Sequence, residues 1–559
     1  MKKLYIIVAS WFISLNVVAQ SDSIQYPLSS LHSHLSTLHS PLSTKYSPLL
    51  LDYQFLKRSN PWLQSANAAA LTTCHQQSLG EAELTLTRAK GGFVNYYGSP
   101  DEWQANARVE SFFRLNPRMV VLGSMSYGSF DGKEMAGSAF INPDRRPFDL
   151  VEDSLTNTGD KHLDTYRLTG AIACTLFGDF SLGLRLDYTA ANYAKYKDLR
   201  HQNKLMDMRL TAGFYAPLGR WGGLGTHYQY HRNTESISFG TYGKTDKVYQ
   251  TLVSYAAFMG HLEQFGSTGY TDKSREMPLV KDENGVGVQL NLQPCELPLQ
   301  LFQSFAYAKG TGYYGRKSPF TITYTHHDTR RYDYSARLAY RGNGIQLSLD
   351  GAFSAEKLRN EASTYRDQLN ETGATYYDYY DPVKTADKIW KDGHLALTAD
   401  WGIHYQLPTW TVVAAVDWMH RQQTAYVYPF YRRQDLRNRQ YSLSITRQLV
   451  GRQGVWSLSA QGAFLEGEGD PCEDLAFQPP SDKQAVPPSM DAYLCREYQY
   501  LTAPQYRLGA TVRYAFIFPT TSLKTYAQLS VAHQKANWQS DYSLGKDRTT
   551  ASIAIGSVF

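Results

Sequence analysis

Runs of strictly alternating apolar and polar residues restrict the fold of this chain more than any other feature. In FSLGLRLDYTA, positions 180, 182, 184, 186 and 188 are apolar, and the positions between them are polar or glycine. Side chains point to opposite faces at successive positions of a β-strand, so the run predicts a strand with one apolar and one polar face. GHLALTADWGIHYQL, YDYSARLAYR, IQLSLDGAFS and YRLGATVRYAF show the same alternation.

The length of these runs separates a membrane protein from a soluble one. Each run has about ten residues or more, which is the length that a tilted strand needs to cross a bilayer. Strands of a soluble sandwich average about five or six residues, and no repeat period indicates a propeller. After the N-terminal segment, no run of about 18 apolar residues predicts a transmembrane helix. A chain that crosses a membrane without helices must form a closed barrel.

The connections between the runs alternate in length. Short turns such as RGNG at 341–344 separate some runs, and long polar connections separate others, near 131–160, 240–284, 359–391 and 466–499. Residues 244–264 also carry apolar positions at helical spacing, which allows a helix in that loop. The sequence therefore predicts an all-β fold over residues 81–559, a transmembrane antiparallel up-and-down β-barrel of about 18 strands (range 16–18), with short periplasmic turns and long extracellular loops.

The N-terminal 80 residues differ from the rest of the chain. Lys2 and Lys3 precede an apolar run at positions 4–18, and Ala19 completes a cleavage pattern before Gln20. Residues 1–19 are therefore predicted to be a signal peptide that is cleaved during export to the outer membrane. Residues 20–80 form a low-complexity linker and a possible hatch. The segment is too short for a large plug domain, and it predicts either a small hatch inside the barrel or a periplasmic lead.

The polar faces of the predicted strands would line the lumen if the apolar faces contact lipid. Both signs of charge occur there, often two residues apart, so the side chains either pair and rigidify the barrel or line a wet pore. Neither sign dominates, so no strong ion selectivity follows. The candidate lumen-lining residues are Arg167, Arg185, Asp187, Asp207, Arg209, Asp333, Arg337, Asp350, Asp400, His404, Asp417, Arg507 and Arg513.

No pattern in the sequence indicates catalysis or a metal site. His404 lies four residues after Asp400, but no Ser or Cys motif of a hydrolase accompanies it. His326 and His327 are adjacent and would point to opposite sides of an extended chain. We therefore predict no enzymatic activity, no catalytic or metal residues and no cofactor. The net charge of +5 gives no reason to expect nucleic acid as a partner.

The five cysteines show neither a CxxC pair nor the spacing of a metal site. Cys472 and Cys495 fall in one long connection, where a disulfide is possible. Closing that loop would contribute about 3 kcal/mol in the chain-entropy model. The sequence predicts this disulfide, with two free thiols as the alternative.

Three features together resemble a known family. These are the AQ cleavage region, the segment NPWLQSANAAAL, and a barrel rich in tyrosine that ends in phenylalanine; the chain has 42 tyrosines. They resemble an uncharacterised outer-membrane β-barrel family of Bacteroidota, a domain of unknown function. The resemblance covers nearly the whole mature chain, implies an outer-membrane barrel, and supplies no catalytic residues.

Three functions remain open from the sequence. The first is passage or transport of a small solute or nutrient across the outer membrane, since about 18 strands enclose a lumen. The second is a surface binding or assembly module that acts through the long tyrosine-rich extracellular loops. The third and least favoured is an outer-membrane hydrolase. The expected partners are outer-membrane lipid, a possible surface or periplasmic protein, and the barrel-insertion machinery, for which the last residue, Phe559, is a predicted membrane-insertion signal.

Overall fold

The structure is a computed structural model. It describes residues 52–152, 157–243, 246–264, 277–294, 297–318, 320–517, 523–537 and 542–559. The predicted signal peptide and the low-complexity stretch at 26–50 lie outside these residues. Among the described residues, no helix is both long enough and apolar enough to cross a membrane.

Antiparallel strands make up most of the described chain. The first eleven are β1 (Ser78–Lys90), β2 (Asp101–Asn116), β3 (Met119–Met135), β4 (Asp149–Glu152), β5 (Gly159–Thr175), β6 (Ser181–Lys195), β7 (Arg200–Pro217), β8 (Gly222–Gly240), β9 (Gln250–Ala256), β10 (Met259–Gln264) and β11 (Met277–Leu292). The others are β12 (Leu299–Ser318), β13 (Thr321–Gly342), β14 (Ile345–Leu369), β15 (Thr375–Trp401), β16 (Trp410–Val427), β17 (Phe430–Val450), β18 (Gly454–Gly469), β19 (Glu473–Ala476), β20 (Gln505–Ile517), β21 (Lys524–Ala536) and β22 (Asp547–Val558).

In the part of the chain that the structure describes, helical elements are few and short. The α-helices are α1 (Tyr53–Ser59) and α2 (Asp491–Thr502). Short 3₁₀ turns cover Pro61–Leu63, Ala68–Thr73, Phe177–Asp179 and Gly219–Trp221. Two of these, Phe177–Asp179 and Gly219–Trp221, lie in short connections between barrel strands. The other two follow α1 before the first strand.

The strands close into a barrel, which confirms the predicted fold class. Each barrel strand pairs with its sequence neighbours in the sheet, and β1 also pairs with β22 from Glu81 opposite Val558 to Lys90 opposite Thr549. The short β19 pairs only with β17 at the loop end of the barrel, and the other 18 strands of the sheet form the closed wall. Closure leaves no unpaired edge at the seam.

The outer face of the wall is apolar, as the alternation requires. Its large exposed side chains include Leu84, Leu184, Leu347, Leu397 and Ile553. They lie at alternate positions of their strands, while polar side chains occupy the positions between them. A membrane-facing surface of this kind is favourable only when lipid covers it. The inner face carries the polar side chains and surrounds the segments that fill the lumen.

Two connections differ from the sequence prediction. The predicted loop at 359–391 is mostly strand, because β14 and β15 have 25 and 27 residues and pair beyond the length that crosses a bilayer. The segment that allowed a loop helix contains instead the hairpin of β9 and β10, which joins β4 in a separate three-stranded sheet. The apolar pattern there serves burial on both faces of a small sheet.

Candidate functional site

A short N-terminal segment, residues 52–77, lies inside the barrel, and we call it the hatch. Its helical turns begin at residues whose side chains cap them. Asp52 accepts a hydrogen bond from the backbone N–H of Phe55, Asn60 from Trp62, and Asn67 from Ala69. Such caps satisfy amide groups that a short helix leaves unpaired. Residues 52–77 contact inward-facing side chains of β2, β11 and β15.

Ion pairs and hydrogen bonds hold the hatch to strands around the barrel. Lys57 pairs with Glu110 of β2 at 2.6 Å. Arg58 pairs with Asp400 of β15 at 2.7 Å, and Asp400 is almost fully buried. On a third side, the amide of Asn67 donates to Gln289 of β11 at 3.1 Å. The hatch therefore crosses the lumen near the short-turn end of the barrel.

Apolar contacts and two glycines of the wall also hold the hatch in place. Trp62 packs edge-on against Tyr215 and Phe302, with ring centroids at 5.5 and 5.0 Å. A Cβ at Gly183 of β6 would lie 2.2 Å from the backbone nitrogen of Ala69. Gly213 of β7 leaves similar room for the Asn67 side chain. Only glycine at these wall positions lets the hatch backbone approach so closely.

The long-loop end of the lumen holds a second segment. Residues 136–152 and the β9–β10 hairpin enter the barrel, and we call them the loop plug. β4 pairs with β9 inside the barrel. Phe140, Phe148 and Leu150 are almost completely buried against side chains that include Ile237 of β8. This cluster is the largest apolar core of the described chain.

Ion pairs join the loop plug to strands on two sides of the lumen. Glu152 pairs with Lys161 of β5 at 2.7 Å and also with Lys195 of β6. Arg145 pairs with Glu356 of β14 at 3.2 Å and with Asp392 of β15. These two pairs of strands stand nearly opposite each other in the order of the wall. The loop plug is therefore tied to both sides of the barrel.

Helix α2 packs beside the loop plug at the same end. Arg421 of β16 donates two hydrogen bonds to the Glu497 carboxylate, at 2.9 and 2.7 Å, and both groups are buried. Arg496 donates to the carbonyl of Val94, and burial lowers the pKa of Arg496 to about 10. The connection between β18 and β20 thus folds inward rather than extending from the surface.

Three adjoining cavities lie along the β12–β21 side of the lumen, and together we call them the chamber. The first has about 530 Å³ and is lined at mid-strand by β12 to β18. The second, of about 310 Å³, lies against the loop plug and α2 and shares Asp392 and Met419 with the first. The third, of about 180 Å³, shares Tyr500 with the second. The chamber lies between the strand positions that contact the hatch and those that contact the loop plug.

The carboxylates of the chamber already have partners. Asp333 pairs with Arg331 at 2.8 Å, and Asp417 pairs with His394 at 2.7 Å. Asp149 of the loop plug accepts hydrogen bonds from Ser138 and from Tyr96 at 2.9 Å. Burial raises the pKa of Asp149 to about 6, although those two hydrogen bonds favour its charged form. The remaining wall is rich in neutral hydroxyl and amide groups.

The structure places the candidate lumen residues on three levels of the wall. Asp333, Asp417 and Arg507 line the chamber. Nearer the hatch, Arg337 donates to the carbonyl of Arg58 and Arg185 to that of Ser65, while Asp350 lies 3.6 Å from Arg337 and Arg513 lies 3.7 Å from Glu81. Asp187, Asp207, Arg167 and Arg209 lie on the inner face of β5 to β7.

His404 is placed differently from the other candidates. It lies in the turn between β15 and β16, where its backbone forms a bridge with Leu407, and its side chain is exposed. The alternation continues past the end of β15, so the sequence pattern alone overextends the strand to His404. The decisive residues of the loop plug, Arg145 and Glu152, were not predicted, because they lie in a connection with no alternating pattern.

Cys472 and Cys495 are free thiols, so the predicted disulfide is not formed. Cys472 precedes β19, which is paired with β17, and Cys495 is carried by α2. Burial raises the pKa of the Cys472 thiol, and the nearby Cys495 acts in the same direction. The two residues are neighbours, but separate elements hold them.

The described residues show no hydrolase constellation around the predicted histidine. The side chain of His404 makes no hydrogen bond to a Ser or Asp in the part of the chain that is described. His394 pairs with Asp417, but no described serine hydroxyl bonds its other ring nitrogen. His326 and His327 lie at adjacent positions of β13. No group of three or more potential metal ligands occurs among the described residues.

The closed wall, the apolar outer face and the filled lumen define the class: a transmembrane β-barrel obstructed by its own hatch and loop plug. Residues 68–559 match the model of a family of unknown function (DUF6850), and the chain belongs to that family. This agrees with the resemblance to an uncharacterised family. No curated protein matches the chain.

Solved structures similar to this chain include a receptor and an outer membrane transporter. The ferric preacinetobactin receptor BauA from Acinetobacter baumannii is 10% identical, with a TM-score of 0.34, over 86% of this chain and 80% of that one. The outer membrane transporter YddB from Escherichia coli is 9% identical, with a TM-score of 0.38, over 86% and 81%. FpvA from P. aeruginosa, in a complex with heterologous pyoverdine, is 11% identical, with a TM-score of 0.38, over 86% and 71%.

Proposed function

We propose that this protein passes a small polar solute across the outer membrane by opening its hatch and its loop plug. The observation that carries the proposal is the chamber, a space inside the barrel between two obstructing segments that is lined by both polar and apolar side chains. A barrel filled only for rigidity has no need of cavities of this size on one side of its lumen. The chamber supplies a place where a solute can reside between two gates.

The way in which the gates are held supports this proposal. Arg58 and Lys57 tie the hatch, and Arg145 ties one side of the loop plug, through charged contacts to the wall. Charged groups regain hydration when a contact opens, which offsets part of the free energy needed to break these ties. The apolar core around Phe148 instead fixes the base of the loop plug.

Conductance in planar bilayers tests the proposal. We expect low conductance from the native protein, a moderate increase when residues 52–77 are deleted or when Arg145 and Arg146 are both changed to Ala, and a large increase when the changes are combined. Liposome swelling should rank the variants in the same order. The control is Arg437→Ala, which removes an exposed surface pair with Glu468. A well-folded combined variant that neither conducts nor swells would contradict the proposal.

The finer assignments belong to the same proposal. We infer a location in the outer membrane of a member of the Bacteroidota, reached through cleavage of residues 1–19, and no enzymatic activity. The closed transmembrane barrel supports the location. N-terminal sequencing of the protein purified from outer membranes would test the cleavage, with Gln20 as the expected first residue.

A second candidate function is binding of a surface partner by the projecting β14–β15 hairpin. Its outer part carries Tyr379, Tyr380 and Val383, which are substantially exposed. The connection at 240–284, one of the four long connections in the sequence, contributes β9 and β10 to the loop plug instead. Deleting residues 364–380 should abolish pull-down of a partner and leave the barrel heat-modifiable on gels; unchanged pull-down would exclude this hairpin.

A further inference from the structure

The third cavity of the chamber contains a guanidinium group that no carboxylate of the described residues neutralises. Arg507 of β20 points inward between Ala463 of β18 and Gln534 of β21, with which it is in register. It makes no hydrogen bond or ion pair with any described residue and lines the third cavity. The other arginines around the chamber, such as Arg145 and Arg421, are paired. A cation that has no partner of opposite charge inside a cavity is a binding feature for an anion.

Two tyrosines converge on the same place. Tyr500 of α2 lines the second and third cavities, and its hydroxyl has no hydrogen-bond partner among the described residues. Burial raises the pKa of Tyr500, whereas Arg548 and Arg507 lower it, so Arg507 lies near this hydroxyl. Burial, Asp144 and Tyr500 raise the pKa of Tyr97 to about 12, which places Tyr97 beside Tyr500. Both phenols are therefore uncharged. Tyr500 lies next to Arg507, and Tyr97 lines the second cavity together with Tyr500.

A second cation borders the neighbouring cavity. Lys388 of β15 is buried and lines the second cavity. Its ammonium group donates to the carbonyl oxygen of Arg146 at 3.0 Å and has no carboxylate partner among the described residues. The cations without a carboxylate partner in the second and third cavities thus include Lys388 and Arg507, whereas Asp149 and Glu497 are already bonded.

The adjoining first cavity offers uncharged groups. Ser304, Ser335 and Gln440 line it, and their side chains make no hydrogen bond to the described residues. Hydroxyl and amide groups both donate and accept, and so they match the hydroxyls of a solute. Among the described residues, the chamber therefore presents cations without a carboxylate partner at one end and neutral hydrogen-bonding groups without a partner at the other.

We propose that Arg507, Tyr500, Tyr97 and Lys388 form a binding subsite for a small hydroxylated carboxylate, of the sugar-acid class. The carboxylate would accept hydrogen bonds from Arg507 and the phenol of Tyr500, and the hydroxyls would extend toward Ser304, Ser335 and Gln440. This inference names the solute class of the proposed function and rests on it.

Equilibrium dialysis of the full-length protein in detergent tests the subsite. The probes are D-glucuronate, its neutral counterpart D-glucose, and inorganic phosphate. We expect D-glucuronate to bind more tightly than either of the others. Arg507→Gln should weaken glucuronate binding about tenfold or more, and Tyr500→Phe about three- to tenfold, since a lost charge-assisted hydrogen bond has that magnitude. The control Arg209→Gln, on the opposite wall and outside the chamber, should bind within about twofold of the native protein.

Each outcome of the dialysis experiment either supports or overturns the sugar-acid subsite. Equal binding of glucose, tighter binding of phosphate, or native affinity in Arg507→Gln would overturn the sugar-acid subsite, and so would no binding of glucuronate. The liposome-swelling assay separates this from the proposed function. Passage of solutes without glucuronate binding would remove the subsite alone. Glucuronate binding that depends on Arg507, without any passage, would remove the proposed function alone.

Discussion

At the scale of single residues, glycines decide how closely the hatch approaches the wall. Gly183 faces the backbone of Ala69, and a Cβ there would lie 2.2 Å from the Ala69 nitrogen. Gly170 of β5 has nothing within 4 Å of its Cβ position. The two glycines lie on neighbouring strands, so they form a matched pair for testing the fit of the hatch.

We predict that Gly183→Ala loosens the hatch, whereas Gly170→Ala does not. The clash is with backbone, which cannot rotate away, and should destabilise the docked hatch by about 1–3 kcal/mol. Amide hydrogen exchange of residues 52–77 measures it, with faster exchange expected in Gly183→Ala alone. Equal protection of these amides in both variants would show that the wall shifts enough to accommodate the added methyl group.

Asp149 gives the loop plug a dependence on pH. Burial raises its pKa from 3.8 to about 6, so the folded plug binds a proton more tightly than the unfolded segment does. Because the folded plug binds this proton more tightly, losing the proton destabilises the folded plug. The loop plug is therefore most stable below pH 3.8. Its free energy of unfolding falls by roughly 3 kcal/mol at most as the pH rises to about 6, and it stays level at higher pH.

We predict that Asp149→Asn removes this dependence, because the amide does not titrate. Protection factors of the amides at 137–152 should fall between pH 4 and pH 6 in the native protein and stay level in the variant. Asp144→Asn is the control in the same loop, because the Asp144 carboxylate is half exposed. A native plug with constant protection would contradict the prediction.

At the scale of elements, α2 is held by one buried ion pair and one exposed pair. Glu497 bonds Arg421 in the interior, and removing it would leave a buried guanidinium without its carboxylate. Asp491 pairs with Arg432 at 3.3 Å, but Asp491 is largely exposed and Arg432 keeps Asp474 as a partner. Glu497 and Asp491 lie on the same helix, but removing Glu497 should destabilise the docked helix much more than removing Asp491.

We predict that Glu497→Ala undocks α2, with a loss of about 3–5 kcal/mol, and that Asp491→Ala costs at most about 1 kcal/mol. Limited proteolysis within residues 491–502 reports the docking. Cleavage should become rapid only in Glu497→Ala. Similar resistance in the two variants would mean that the apolar contacts of Tyr493 and Leu494 hold the helix by themselves.

The strands also show where a local sequence pattern predicts the structure and where it fails. Alternation predicted the strands well, because every barrel strand has one lipid face and one lumen face. It failed where both faces are buried: β9 carries apolar residues at successive positions, and these allowed a helix. It also could not separate a loop from a long hairpin at β14 and β15, since strands beyond the membrane need no lipid face.

At the scale of the whole molecule, the barrel depends on its closing seam. Phe559 and Gly80 exchange two backbone hydrogen bonds, at 2.8 and 3.0 Å, one residue beyond the paired strands β1 and β22. A Cβ at Gly80 would lie 2.2 Å from the Phe559 ring, so the ring covers that glycine. The last residue therefore completes the seam, in addition to its proposed role as an insertion signal.

We predict that deleting Phe559 lowers the fraction of protein inserted in the outer membrane much more than deleting Gly373 does. Gly373 lies in the exposed turn between β14 and β15, far from the seam. Heat-modifiability of the membrane fraction on gels measures insertion. Equal insertion of the two deletions would show that neither the seam nor the signal requires this residue.

The sequence by itself determined the class of fold and, to within about two, the number of strands in the wall. Those properties repeat in every strand with a period of two, so a local pattern contains them. Only the tertiary structure decided what fills the lumen. Arg58 meets Asp400 across 342 positions of sequence, and Arg496 meets Val94 across 402. Such contacts depend on the closure of the whole barrel, and no local pattern encodes them.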